Sequence, residues 1–291
     1  MTIDVIVMSI FLSSTSALMA LSLTIIYNST RVINFAQGEV FILGCGVAYQ
    51  LGVVMQLPIA VVLLAVLAAA AVMGVVLEKL IMTPVRRSGS PVAWIITTLA
   101  VVLVAQSIYA LVFTSTQLRP DPIIPGGFML GGQEFPYQVL LLLVVTLSIF
   151  IGYEIFLKRT TFGMAVRATA LDPDTTSTLG IPVKVFVIGS FVTAAVISAI
   201  GGVIGSSAAF VLPTDGLRYT VAGFVAMVIG GLGSTRGALV GGVVVGTLGS
   251  VLRNTLNPAT GELFIAAILV IILIFRPQGI FGASATRGDA A

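Results

Sequence analysis

Residues 57–77 read LPIAVVLLAVLAAAAVMGVVL, without one charged or hydrogen-bonding side chain. The run is apolar on every face, so as a helix it has no side to turn towards water. A bilayer core of about 30 Å is crossed by about 20 helical residues, and this stretch has that length. A membrane β-barrel would need strands of about 10 residues alternating in polarity, and this run does not alternate. It reads as a transmembrane helix.

The same ruler places spans near 5–27, 34–54, 57–81, 93–115, 136–157, 183–209, 219–233, 238–255 and 262–276. Segments 34–54 and 219–255 are rich in Gly and polar residues, and are expected to be broken or re-entrant. The fold class is therefore all-α, a polytopic helical membrane protein with eight or nine transmembrane helices. Only 9% of residues are charged and mean hydropathy is +1.15, whereas soluble domains carry about 25% charged residues. No soluble domain stands out, so residues 1–291 read as a single transmembrane domain. The first apolar run lacks a basic leader and continues to Tyr27. That exceeds the roughly 7–15 apolar residues of a cleavable signal, so it reads as the first span.

Orientation follows from where Lys and Arg fall in the short loops. With the N-terminus outside and the C-terminus cytoplasmic, eleven of the fourteen basic residues are inside: Arg31, Lys79, Arg86, Arg87, Lys158, Arg159, Arg167, Lys184, Arg236, Arg276 and Arg287. Arg119, Arg218 and Arg253 stay outside. The polar loop 158–184 is then cytoplasmic, and the Pro- and Gly-rich loop 116–135 is external.

The residue inventory excludes most chemistry. There is no His, hence no imidazole base, no Ser–His pairing and no imidazole metal ligand. One Cys, Cys45, forms neither an intrachain disulfide nor a thiolate cluster, and reads as a small packing residue. The eleven acids are scattered. No enzyme, metal site or bound cofactor is expected, and a net charge of +3 does not suggest nucleic acid. There is no phosphate-binding G-x-x-x-x-G-K-[ST] loop; Gly230 to Gly237 approaches it with Arg236 in place of Lys. If the chain moves a solute uphill, nucleotide energy comes from another chain.

The loop 158–184 is the place to meet one. Gly163 to Leu171 suits a short helix with Arg167 and Ala168 on it. Asp172-Pro173-Asp174 restarts a second, with Asp172 as N-cap, Pro173 at the first helical position and Asp174 favoured by the helix dipole. Gly180 suits its C-cap. A helix of about 7 residues is marginal alone in water, which leaves a solvated connector or a docking helix for a soluble partner.

A second stretch, Asn34-Phe35-Ala36-Gln37-Gly38-Glu39, has Asn34 and Gln37 spaced for a capping box. Glu39 sits one turn into an apolar span, where an acid marks a functional site by default; the alternative is a structural pair with Arg31 or with helix-end amides. Phe35 reads as packing. Hydroxyls gather in the first span (Ser9, Ser13, Ser14, Thr15, Ser16), and Thr97, Thr98 and Gln106 in the fourth. They line a polar path or bridge helices. Gly201-x-x-x-Gly205, Gly237-x-x-x-Gly241 and Gly242-x-x-x-Gly246 let helices approach closely, within the chain or in a dimer.

Three stretches together resemble one family. Val32-Ile33-Asn34-Phe35-Ala36-Gln37-Gly38-Glu39 is similar to its N-terminal signature, with Gln37 where His is common. Gly163-Met164-Ala165-Val166-Arg167-Ala168-Thr169-Ala170 through Asp172-Pro173 to Leu179-Gly180-Ile181 resembles its cytoplasmic loop, with Thr175-Thr176-Ser177 in place of an Ala-rich helix. Gly230-Gly231-Leu232-Gly233-Ser234 and Arg276-Pro277-Gln278-Gly279-Ile280-Phe281-Gly282 resemble its C-terminal marks. The family is the inner-membrane permease of branched-chain amino acid ABC importers, LivH type.

The resemblance implies a multi-pass permease in a bacterial inner membrane. Its partners would be a second related permease subunit, two cytoplasmic ABC ATPases carrying ATP and Mg, a periplasmic solute-binding protein and membrane lipid. The loop 158–184 would carry the coupling helix, with Gly163, Arg167, Ala168, Asp172, Pro173, Asp174 and Gly180. Asn34, Gln37, Glu39, Thr97 and Thr98 would shape the path or gate. Branched-chain or other hydrophobic amino acids are the expected cargo; relatives also carry urea, short amides, or aromatic and other carboxylates. A stand-alone secondary transporter or channel is the other class, but it wants paired ionisable groups at mid-membrane, and the chain offers Glu39 only. A membrane scaffold is a third.

Overall fold

Nearly every apolar run becomes a helix in a computed structural model of the chain, which describes residues 3–87, 92–113, 117–130 and 132–255, with 267, 268, 270, 274 and 279–281 beyond them. The span expected at 262–276 falls almost wholly outside the described residues.

Seven stretches among the described residues are long and apolar enough to cross a bilayer. They are α1 (Ile3–Thr30), α2 (Gln37–Ala48) with π-helical turns Tyr49–Val54, and α3 (Ile59–Val76), which runs through π-helical Leu77–Met82 into α4 (Thr83–Arg87). The rest are α5 (Ala93–Val112), α6 (Tyr137–Arg159), α9 (Val183–Ala208) and α11 (Thr235–Thr255). Two short helices, α7 (Thr161–Leu171) and α8 (Pro173–Thr178), make up the polar loop. The remaining helix, α10 (Gly216–Gly230), has 15 residues, or about 22 Å at 1.5 Å per residue, short of a full crossing.

Two local features depart from the expectation. The loop 116–135 folds into a hairpin, with Gly127–Leu130 (β1) antiparallel to Gln133–Pro136 (β2). Phe128 lies opposite Phe135, their rings 5.1 Å apart, and the turn uses Gly132 at φ +86°, where a side chain would be strained. Leu118 also bridges to Val211, tying this loop to the one before α10.

The helix α1 is the axis of the fold. Every residue from Ser13 to Ile26 is buried, because α6, α9, α10 and α11 pack round it. By contrast α3 buries one stripe, Val62, Val66, Ala70 and Gly74, and α5 buries Thr98, Val102, Ala105 and Tyr109. Their other faces carry exposed Leu64, Val72, Leu103 and Leu111. That pattern is what lipid-facing helices need, since lipid tails are as apolar as those side chains.

With no hydrophobic drive between helices in lipid, close backbone approach holds them together. A Cβ on Gly241 would lie 1.9 Å from the Ala226 carbonyl oxygen, and one on Gly237 would lie 2.3 Å from that of Gly230. Both glycines therefore seat α11 on α10. Gly242 and Gly246 face Ala17 and Ser13 of α1, while Gly201 and Gly205 face Leu18 and Phe41. All six glycines serve packing within the chain.

Candidate functional site

After α1 ends at Thr30, with Arg31 in the left-handed region at φ +56°, residues 31–36 run back into the protein without helix. Non-helical backbone at membrane depth is tolerated only inside protein or along a cavity, and Asn34, Ala36, Gln37 and Glu39 are all fully buried. The expected capping box does not form: α2 begins at Gln37 with Ala36 at the cap position and no side-chain cap. Asn34 instead closes its own turn, its Oδ1 accepting from Ala36 N at 3.1 Å. Gln37 reaches across to α9, donating Nε2 to Ser198 Oγ at 2.9 Å, and Ser198 donates to Ser22 Oγ of α1 at 3.1 Å.

These neighbours fix the depth. Ser22 lies about 12 Å along α1 from its Thr30 end, and Ser198 about 15 Å along α9 from its Ala208 end. Because α1 and α9 end on opposite sides, α2 starts near mid-membrane.

A second helix starts there too. Thr220 of α10 accepts from Gly38 N at 2.7 Å and donates to the Phe35 carbonyl at 3.1 Å, so one hydroxyl serves a first-turn amide of α2 and a carbonyl of the unwound stretch before it. Gly216, the first residue of α10, lies so close that a Cβ would come within 2.2 Å of Glu39 Oε1. The carboxylate thus sits between the positive ends of α2 and α10, which lowers the cost of burying it. Gln106 of α5 donates Nε2 to Glu39 Oε1 at 3.1 Å and lies 3.3 Å from the Thr214 carbonyl. Glu39 Oε2 is buried with no hydrogen-bond partner among the described residues, and so is the Tyr109 hydroxyl one turn beyond Gln106.

Of the sequence-predicted residues, Asn34, Gln37 and Glu39 are brought together, while Thr97 and Thr98 are not part of the cluster. Thr98 donates to the Trp94 carbonyl of its own helix at 2.8 Å. The pairing of Glu39 with Arg31 does not occur; Arg31 donates Nη2 to the Ala170 carbonyl of α7 at 2.8 Å. Phe35 packs, its ring parallel to that of Trp94 at 6.1 Å. Of the hydroxyls of the first span, Ser9 donates to Val5 O and Thr15 to Phe11 O in their own helix, Ser13 donates to Val243 O of α11, and Ser14 Oγ is buried with no partner among the described residues. Thr220 and Ser198 were not anticipated, since one hydroxyl in an apolar span has no distinguishing signal. Gln106 did carry one, as a lone amide in an apolar helix.

The polar loop forms its two helices. Thr160 caps α7 by accepting from Gly163 N at 2.9 Å. Asp172 caps α8, its Oδ1 accepting from Thr175 N at 3.1 Å and its Oδ2 from Thr175 Oγ1 at 2.5 Å. Gly180 closes the segment at φ +80°. Arg167 and Asp172 are exposed, and Ala168 is half-buried. Pro173 and Asp174 lie in α8, but their side chains are outside the described residues. Two apolar side chains stand out at this tip, Leu171 at 83% exposure and Leu179 at 74%.

Comparison with known proteins places the chain. Residues 5–273 match the model of a family described as branched-chain amino acid transport system / permease component. The high-affinity branched-chain amino acid transport system permease protein BraD of Pseudomonas aeruginosa is 29% identical over 283 residues, covering 92% of each chain. The corresponding LivH of Escherichia coli is 27% identical over 285 residues, 93% of this chain and 92% of that one. A probable branched-chain amino acid transport permease protein LivH of Methanocaldococcus jannaschii is 27% identical over 297 residues, covering 94% and 90%. No solved structure matches.

Proposed function

Since the chain belongs to the family of branched-chain amino acid transport system permease components, we propose that it passes branched-chain amino acids through the membrane beside Glu39. It is a multi-pass inner-membrane permease subunit of an ABC importer, a transport component and not an enzyme. It works with ATPase and solute-binding partners. The finer assembly we assign it is a second related permease subunit, two cytoplasmic ATPases that bind ATP and Mg, and a periplasmic binding protein.

One observation carries the site: a fully buried carboxylate has an unused oxygen where two helices begin inside the membrane. An amino acid brings an ammonium group that needs an acceptor once its water is removed, and Glu39 Oε2 supplies one. Gln106 on Oε1 orients the carboxylate, and the starts of α2 and α10 face it with their positive ends. The apolar side chain of the solute asks only for apolar neighbours, which α2 and α5 supply in abundance. The path runs between α2, α5 and α10 rather than along α1, whose residues 13–26 are enclosed on all sides.

The polar loop couples the path to the ATPases. Arg167, Asp172 and the exposed Leu171 and Leu179 form its tip. Arg31 ties that loop to the chain entering the buried cluster, so a shift of α7 would be felt at the start of α2.

Uptake by proteoliposomes holding the full assembly tests the reading. ATP-dependent accumulation of leucine, isoleucine and valine is expected, weakened at least tenfold by Glu39→Gln. If those three stay outside while urea or an aromatic carboxylate accumulates, the cargo is wrong.

A further inference from the structure

At the membrane end that bears the polar loop, three segments far apart in sequence enclose a cleft of about 520 Å³. The end of α1 supplies Ser29 and Thr30, the junction of α3 and α4 supplies Glu78, Lys79, Thr83 and Arg86, and the start of α9 supplies Val183, Lys184, Val187 and Ile188. Its charge is lopsided: three cations face one carboxylate.

That carboxylate is already engaged. Glu78 is 3% exposed, and it accepts from Arg86 Nη2 at 2.5 Å and from Thr83 Oγ1 at 2.9 Å. In a regular α-helix Thr83 would stand about 140° round from Glu78, at 3.6 residues per turn. The wider π-helical turns of Leu77–Met82 bring it onto the same face. Among the described residues Lys79 and Lys184 have no ion-pair partner, and both are exposed. Lys184 stands in the first turn of α9, where the helix end is itself positive and disfavours a cation. Ser29 and Thr30 donate to Ile26 O of their own helix, so the lysines and the rest of the Arg86 guanidinium are the donors left over.

We propose that this cleft holds the phosphate headgroup of an anionic phospholipid. The anion would lie between Lys79, Arg86 and Lys184, beside the start of α9. Leu80 and Val185, next in sequence to Lys79 and Lys184, are exposed, and so is Val72 about two turns back along α3. They offer an acyl chain a route along the protein, which a free anion would not need and a soluble protein partner could not follow.

Native mass spectrometry of the purified full chain, loaded with phosphatidylglycerol or phosphatidylcholine, tests this. Retention of phosphatidylglycerol in preference to phosphatidylcholine is expected. A basic residue near an anionic lipid surface contributes about 1 kcal/mol, so Lys79→Gln with Lys184→Gln should weaken phosphatidylglycerol binding roughly 25-fold. Lys79→Arg with Lys184→Arg should retain it, as should Lys158→Gln at the end of α6. Equal retention of the two lipids by the unaltered chain would overturn the proposal without any variant. Displacement of phosphatidylglycerol by millimolar inorganic phosphate would assign the cleft to a free anion instead. Protection of Lys79 and Lys184 from acylation only when the ATPase is present, and not by phosphatidylglycerol, would make it a protein contact and likewise overturn it.

Discussion

Gln106 of α5 and Glu39 of α2, 67 positions apart, meet side chain to side chain at 3.1 Å in the middle of the protein. The amide is the side-chain donor Glu39 has among the described residues, and it also lies within reach of the Thr214 carbonyl just before α10 begins. Replacing it by Leu leaves a buried carboxylate without that donor, a loss of about 1–3 kcal/mol. Gln106→Leu should therefore lower the melting temperature of the detergent-purified chain and reduce uptake at least tenfold. Glu39→Gln removes the charge while keeping the shape, so it should reduce uptake with little change in melting. Equal effects of the two on melting would show that the charge of Glu39 matters to folding rather than to transport.

The glycines offer a sharper contrast, because the space around them differs so much. A methyl group at Gly241 would sit 1.9 Å from a backbone oxygen of α10, and backbone there has no alternative rotamer. At Gly189, on α9, nothing lies within 4 Å. Gly241→Ala should force α11 off α10 and destabilise the fold by at least the roughly 1–3 kcal/mol of overpacked sites. Gly189→Ala should be neutral or slightly stabilising, since Ala is the better helix former by about 1 kcal/mol. Thermal unfolding of the two variants in one detergent checks the pair, and a stable Gly241→Ala protein would contradict the packing of α10 on α11.

Gly216 tests the site itself. Its absent side chain makes room for the Glu39 carboxylate, which a Cβ would meet at 2.2 Å. The carboxylate is the flexible partner, so Gly216→Ala should rotate it rather than unfold the protein. Uptake should fall at least tenfold while the yield of assembled complex stays near that of the unaltered chain. Unchanged uptake would separate Glu39 from the path.

The spans were legible because lipid imposes a length and an apolar surface that few other folds share. The loop was legible because its punctuation is local: Asp172 caps α8 and Gly180 ends the segment, whatever surrounds them. The start of α2 was legible only as a set of unusual residues. That α2 and α10 both begin near mid-membrane depends on Thr220 answering the backbone of Phe35 and Gly38, a partnership across 182 positions in one case. Nothing in the hydrophobic period marks Thr220 apart from other hydroxyls in spans. The hydroxyls of α1 left a path and helix bridging both open in the sequence, because Ser and Thr in an apolar helix bond either the carbonyl one turn back, as Ser9 does, or a neighbouring helix, as Ser13 does. The hairpin at 127–136 was hidden in a loop whose Gly and Pro content announced turns without announcing pairing.

The polar loop 158–184 can be tested through its caps and its exposed apolar tip. The Asp172 carboxylate holds the first turn of α8 through Thr175, so reversing its charge would remove a cap worth about 1 kcal/mol along with any contact it makes. Leu171 and Leu179 are cleaner probes, being exposed at 83% and 74% with side chains that make no cap bond. Apolar side chains held out at the aqueous end of a membrane protein are the kind that a partner covers. Leu171→Asp combined with Arg167→Glu should leave membrane insertion intact and weaken capture of the ATPase. ATP hydrolysis by the reconstituted assembly should no longer rise when loaded binding protein is added, and uptake should fall at least tenfold. Stimulated hydrolysis and full uptake in that double variant would remove α7 and α8 from the ATPase interface.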